Sequence, residues 1–353
     1  MDPITHVLLG ASMGYAAFGK KLGRTAAACA GLAAFAPDAD IFIRSATDPL
    51  IAIEYHRGFT HSLVFAPVGA AIVAAVWILR RRWRPQALTI WLCCLLAYLS
   101  HCLLDAATSY GTQLLWPFSN ARAGWDLISI IDPIFTLALL IGLALALGLK
   151  KIRIVTAALI VAAVYLVLGG VQHSRAAAAQ SQLAQRRGHT IERFEVMPTL
   201  ANNLVWRALY VHEGKIYSDR IRVGWFSGVT LVEGWSLPLV TEAELNESER
   251  ARNQRRSFER FSWFSEGWVA RKPGDDSVLG DMRYSLATEA FDPIWGIRFT
   301  ALDAPTEVEW VNRSGNRRIS VADLWSEITG RDARYLKLSD LGRRENDSNL
   351  AEQ

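Results

Sequence analysis

Long uncharged apolar runs dominate the first half of the chain. Four of them, at 62–79, 86–104, 133–149 and 154–172, are long enough to span or nearly span a hydrocarbon core about 30 Å thick. Two shorter runs precede them: 3–19, interrupted only by His6, and 25–37, which reaches membrane length only by tilting or by continuing through 41–43. The pattern predicts six transmembrane helices. Beyond residue 172 it changes character. Residues 175–188, with four consecutive alanines followed by glutamine and arginine, predict a short helical extension. Residues 204–223 alternate apolar and polar around Glu213-Gly214, which predicts a β-hairpin, and 294–300 predicts a further strand. The charged stretch 242–261 is helix-forming. The fold class expected is an α-helical membrane domain over 1–174, followed by a soluble α+β domain over 175–353.

Charge sharpens that division. Only eight of the 34 acidic residues lie in 1–174, so the first half is composed for lipid and the second for water. Ten of the thirteen basic residues of the first half fall in three clusters: Lys20, Lys21 and Arg24; Arg80, Arg81, Arg82 and Arg84; Lys150, Lys151 and Arg153. These occupy alternate loops, which the positive-inside rule places in the cytoplasm. The remaining loops and the second domain then lie outside it, on the periplasmic side of the inner membrane in a Gram-negative cell. The lysines follow the first apolar run instead of preceding it, so no cleaved leader is expected. A net charge of +4 with no broad basic face argues against nucleic acid as a partner. All four cysteines fall in the apolar half, so no disulfide framework is expected in the second domain. Its eight tryptophans suit a core, a membrane interface or a groove.

On this topology His6, His56, His61 and His101 fall at one membrane face, and Asp38, Asp40 and Asp105 join them. His101 and Asp105 are four apart on a helix and share a side, a spacing that suits chelation of one ion. Asp38 and Asp40, two apart after Pro37, supply two ligands or one ligand and one base. His56 and His61 bracket Gly58, and Arg57 stands where it could meet an anionic group. Taken singly, His6 reads equally well as an interfacial residue, the Asp38–Asp40 pair as a helix end and Arg57 as a headgroup anchor. Seven ionisable residues gathered at one face of membrane segments read as a functional site. Mixed imidazole and carboxylate ligation favours zinc, with manganese or iron as alternatives, and one or two ions. Asp132, before Pro133, is expected to cap a helix.

Four motifs carry a family resemblance: His6-Val-Leu-Leu-Gly10, Pro37-Asp38-Ala39-Asp40, His56-Arg57-Gly58-Phe59-Thr60-His61-Ser62 and Ser100-His101-Cys102-Leu103-Leu104-Asp105. In this order they resemble the YdjM-type family of membrane-bound, predicted metal-dependent hydrolases, over roughly residues 1–175. A weaker similarity runs to the zinc-dependent phospholipase C and P1 nuclease group, whose His-x-x-x-Asp pair resembles His101 and Asp105. That kinship implies phosphoester hydrolysis by a metal-activated water. The second His-x-x-x-Glu motif of the group is missing here, which speaks against a three-metal cluster.

The function expected is hydrolysis of a lipid or lipid-linked phosphoester at the outer leaflet. Metal ligands would be drawn from His6, Asp38, Asp40, His56, His61, His101 and Asp105, with Asp38 or Asp40 as base and Arg57 on phosphate. A non-catalytic metal-binding scaffold or sensor is the alternative. A transporter fits less well, because the third, fifth and sixth apolar runs carry almost no polar residue in their middles. No His-Glu-x-x-His motif occurs, which argues against a gluzincin protease.

Overall fold

The computed structural model describes residues 1–245, 252–301, 304–316 and 320–338. They form two compact units. The first comprises Met1–Ile43, Tyr55–Gly170 and Leu200–Asn202; the second comprises Arg44–Glu54, Val171–Thr199 and the chain from Asn203 onward.

The first unit is helical. Helix α1 (Pro3–Leu22) starts where the Asp2 carboxylate accepts a hydrogen bond from the Thr5 amide at 3.0 Å and Pro3 takes a first-turn position that needs no donor. It ends at Gly23, whose φ of +59° turns the chain into α2 (Arg24–Phe35). A 3-10 turn, Ala36–Phe42, follows, then α3 (Ile51–Tyr55), a second short turn at Phe59–His61, and α4 (Ala66–Ile78). Helices α5 (Ala87–Ala106), α6 (Pro133–Leu149) and α7 (Ile152–Arg186) complete the set, of which α3 up to Glu54 and α7 from Val171 onward belong to the second unit. Asp132 caps α6, accepting from the Ile134 and Phe135 amides at 3.1 Å.

Small residues let α1, α2 and α5 approach backbone to backbone. A Cβ added to Gly10 would stand 2.3 Å from Ala34 Cβ, and one on Gly14 2.3 Å from Ala30 Cβ. This contact brings the start of α1, the end of α2 and the last turns of α5 together, which is where the histidines lie.

Two stretches among the described residues are long and apolar enough to cross a membrane, Arg81–Ala106 and Ile152–Arg186. A third results if Ile51–His61 and Ala66–Ile78, bent by 81°, count as one. Helix α6 is apolar but only 17 residues long, and α2 has 12. Six spans are therefore not confirmed; by length and composition the described residues give a helical region with two or three candidate spans. The expected run 62–79 begins its helix only at Ala66. Ser62 is extended and its hydroxyl donates to the Phe59 carbonyl at 2.8 Å, while Pro67 is tolerated only in a first turn.

The second unit is rich in antiparallel sheet. Its elements are β1 (Arg193–Pro198), β2 (Val205–His212), β3 (Lys215–Val223), β4 (Val229–Val232), β5 (Ser236–Pro238), α8 (Arg252–Phe264), β6 (Val269–Lys272), β7 (Asp275–Asp281), β8 (Trp295–Phe299), β9 (Val308–Asn312), α9 (Val321–Thr329) and β10 (Leu336–Lys337). One sheet runs β1-β2-β3-β4-β10 with β5 also on β3; the other runs β6-β7-β8-β9. The hairpin expected around Glu213-Gly214 forms: both residues have positive φ, +47° and +69°, and His212 pairs with Lys215, the geometry of a two-residue primed turn. The strand expected at 294–300 is β8. Of the helix expected over 242–261, a short turn covers Glu242–Glu244 and α8 begins at Arg252; residues 246–251 lie outside the described residues.

Ala176, Ala179 and Leu183 of α7 pack on Trp206, Ala208, Ile221 and Leu231 of the first sheet. The other face of that sheet meets the second one through Met197, Leu209, Val211, Ile216, Trp268, Ala270 and Met282. Arg44–Glu54 joins this unit through Arg260 of α8, which grips Glu54 at 2.5 and 2.7 Å and Asp48 at 2.9 Å.

Candidate metal centre

Four side chains from three segments of the helical unit converge: Asp38 from the turn after α2, His61 from the turn before α4, and His101 and Asp105 from the last turns of α5. His61 Nε2 and His101 Nε2 lie 3.0 Å apart. Asp105 Oδ2 stands 3.2 and 3.3 Å from them, and Asp38 Oδ1 stands 3.6 Å from each. Tetrahedral ligands at about 2 Å from one ion are about 3.3 Å from one another, so these spacings fit a single cation.

The proton positions strengthen the fit. His101 Nδ1 lies 2.6 Å from the Ala34 carbonyl oxygen, which can only accept, so that nitrogen carries the hydrogen. Thr60 Oγ1 donates to Asp40 Oδ2 at 2.9 Å, which leaves its lone pairs facing His61 Nδ1 at 3.0 Å; Asp40 Oδ2 itself is 3.2 Å from the same nitrogen. Both rings are thus held with hydrogen on Nδ1 and, when neutral, a lone pair on Nε2. Two nitrogen lone pairs and the unpartnered Asp105 Oδ2 then face one another in a fully buried space. That arrangement is satisfied either by a proton shared among these atoms or by a cation between them. The residues present fit a divalent metal held by Asp38, His61, His101 and Asp105.

The other three residues expected to bind metal stand beside the group. His6 stacks on His101 with ring centroids 3.7 Å apart and places Nε2 at 2.9 Å from Asp105 Oδ1. Asp105 Oδ1 is also met by Arg57 Nη2 at 3.1 Å and by the Met1 amino group. Asp40 is buried and turned away: Oδ1 meets His56 Nδ1 at 2.9 Å, and Oδ2 accepts from the Arg57 amide at 2.9 Å as well as from Thr60. His56 is therefore linked to the group through Asp40 and His61.

Arg57 is held inside the protein. Its guanidinium donates to Thr108 Oγ1 at 2.9 Å, pairs with Asp105 and lies 4.8 Å from the Tyr110 ring centre; Nε has no hydrogen-bond partner. It is also where the loop is strained, with φ at +59° in a residue that carries a side chain. Asp38 and His56 are the partly exposed members of the site, so the approach from outside runs past them.

Sequence reasoning did not single out Thr60, Thr108, Tyr110 or Tyr98. Thr60 was legible inside the His56–His61 motif, and Thr108, one turn past Asp105, had a spacing signal. Tyr98, whose hydroxyl donates to the Thr60 carbonyl at 2.7 Å, sits against Gly69, where a Cβ would lie 2.4 Å from its ring. Nothing local in the sequence announces that contact.

Residues 1–176 match the family described as YdjM inner membrane protein. The protein YfhP of Bacillus subtilis (strain 168) is 34% identical over 154 residues, 41% of this chain and 46% of that protein. The inner membrane protein YbcI of Escherichia coli (strain K12) is 40% identical over 101 residues, 28% of this chain and 57% of that protein. The chain thus spans about half the length of the curated relatives it matches. No solved structure matches it. The motifs around His6, Asp38, His61, His101 and Asp105 all lie inside the matched region, and through that half the chain belongs to the YdjM inner membrane protein family.

Proposed function

We propose that this chain is a membrane-embedded metal-dependent hydrolase that cleaves a phosphoester of a lipid or lipid-linked substrate at the outer face of the inner membrane. In this reading the helical half crosses the bilayer several times and the sheet-rich half lies on the periplasmic side. The observation that carries it is the pair of tautomer-fixed imidazoles whose Nε2 atoms face each other at 3.0 Å beside an unclaimed carboxylate oxygen. A site at helix ends meets headgroups, where phosphoesters are, and not acyl chains.

A divalent cation there, zinc by the imidazole and carboxylate donors and the near-tetrahedral spacing, supplies Lewis acidity and lowers the pKa of water toward neutrality. The chain's own groups do the rest. His61, His101 and Asp105 would hold the ion and leave a position open, and Asp38, on the accessible side and 3.6 Å from both ring nitrogens, orients an attacking water and takes its proton. His56, backed by Asp40, stands at the same opening and returns a proton to the leaving alkoxide. Arg57 balances the Asp105 charge and offers its Nε edge to a phosphoryl oxygen.

Elemental analysis of the purified full-length protein, joined to a screen of phospholipids and isoprenoid phosphates, tests the reading. One equivalent of metal per chain and chelator-sensitive phosphoester cleavage are expected. Stoichiometric metal without turnover on any member of the screen would make the chain a metal-binding scaffold.

A further inference from the structure

We propose that the loop 224–228, Gly-Trp-Phe-Ser-Gly, is a membrane-interface anchor that seats Trp225 and Phe226 among the headgroups of the bilayer that α7 leaves. The loop joins β3 to β4, and its tip carries two large aromatics where a simple connection would carry glycine and polar residues. Trp225 is 46% exposed and Phe226 fully so.

The root of the loop is fixed to α7 at one level. Gln172 Nε2 donates to the Val223 carbonyl at 2.7 Å, Arg175 Nη1 to the Gly224 carbonyl at 2.9 Å and Arg175 Nη2 to the Ser227 carbonyl at 3.3 Å. Trp225 Nε1 donates to Asn203 Oδ1 at 3.1 Å, which sets the indole. That level is where the lipid-facing part of the helix stops. The uncharged stretch 154–172 gives about 28 Å of helix at about 1.5 Å per residue, close to the hydrocarbon thickness of about 30 Å. Arg175, one turn further on, is the first charge after it. A loop pinned to Gln172 and Arg175 therefore emerges at the boundary between acyl chains and water, the depth at which tryptophan is enriched and phenylalanine gains from partial burial. In water the same tip would expose two aromatic rings with nothing to cover them.

The proposal requires α7 to cross the bilayer; it does not require the hydrolase activity. The four native cysteines are buried, so single introduced cysteines can carry a fluorophore in the full-length protein. The label goes at Phe226→Cys and, as a second loop variant, at Ser227→Cys. Val167→Cys, on an exposed face within the apolar stretch of α7, is the lipid-facing reference. Glu213→Cys is the water-facing reference, because the Glu213-Gly214 turn lies at the opposite end of β3, 9 residues or about 30 Å away. The protein is placed in nanodiscs of phosphatidylcholine and phosphatidylglycerol, with a lipid spin-labelled near the carbonyl end of its chain, and quenching is compared with that by aqueous iodide. Labels at 226 and 227 should be quenched several-fold more by the lipid than the label at 213, and less by iodide. Iodide access at 226 and 227 equal to that at 213, with 167 quenched by lipid, would overturn the anchor. Protection of 226 from both quenchers would also overturn it and assign the tip to a protein contact. Failure of lipid quenching at 167 would remove the α7 crossing and the anchor with it, leaving the metal centre unaffected.

Discussion

His61, His101 and Asp105 in the helical unit are buried as deeply as Arg207, Arg220 and Arg283 in the sheet-rich one, yet the two sets are satisfied in opposite ways. Arg220 pairs with Asp332 at 2.6 Å and with Glu327, and lies under Tyr335. Arg283 holds Asp281 at 3.0 Å, Glu266 at 2.8 Å and the Phe264 carbonyl at 2.7 Å. Arg207 donates to the carbonyls of Met282, Ala287, Thr288 and Ala290, and burial pushes its pKa down to about 9 against the opposing pull of Glu289 and Asp281. Each of these cations meets acceptors that the chain itself supplies. The helical site instead satisfies one Asp105 oxygen with Arg57 and the Met1 amino group and turns the other, with two ring nitrogens, toward a shared space. Buried charge with its partners in place is architecture; ring nitrogens and a carboxylate oxygen turned toward one another are a group that could hold a metal ion.

The sharpest way to break this contrast is to remove a ligand. His101→Ala deletes one of the two facing nitrogens, and metal content should fall from one equivalent to near none by elemental analysis. The sheet-rich unit should keep its own unfolding transition, because none of the four ligands lies in it. Metal that stays stoichiometric in His101→Ala would mean that the facing lone pairs are not the site.

The converse experiment is Arg220→Met. It leaves Glu327 without its cation while Asp332 keeps Arg334 at 2.7 Å, which should cost about 3 kcal/mol of stability in the sheet-rich unit. Tryptophan-detected denaturation reads the loss through Trp206 and Trp268, both buried in that unit. Metal content should stay at one equivalent. A fall in metal together with the loss of stability would show that the two units do not divide their buried charge as described.

Local patterns explain what was legible in the sequence. The i, i+4 spacing of His101 and Asp105 needs only one helix to bring the pair together, and the Glu213-Gly214 hairpin needs only two residues that tolerate positive φ. The helix boundaries were not legible, since apolar length alone does not show that Ser62 and Pro67 break one run, or that α2 stops after 12 residues. Nor was the place of Arg44–Glu54. Its polar, loop-like sequence gives no hint that Arg260, more than two hundred residues later, pairs with Glu54. Contacts of that separation are written in tertiary packing and not in periodicity. The same holds for Asp40, whose spacing from Asp38 left it equally a ligand, a base or a helix end.

Asp40→Asn separates those roles and carries the smallest effect expected here. In the structure all the groups around Asp40 are donors: His56 Nδ1 on one oxygen, and the Arg57 amide, Thr60 Oγ1 and His61 Nδ1 on the other. An asparagine would keep its oxygen toward the three donors and turn its NH2 toward His56, which can shift its proton to Nε2 and accept. His61 then keeps its orientation but loses the negative charge behind it, which makes Nε2 a weaker donor to the metal. Removing a carboxylate behind a ligating histidine typically costs about 10-fold to 100-fold in metal affinity, and retention of the hydrogen bond puts this variant near the lower end. Chelator competition on the purified protein should therefore show metal bound about 10-fold more weakly, with the stoichiometry restored at saturating metal. If Asp40 were itself a ligand, saturation would not be recovered and the coordination spectrum of a cobalt-substituted sample would change; an unchanged spectrum at full occupancy assigns Asp40 to holding His61 in place.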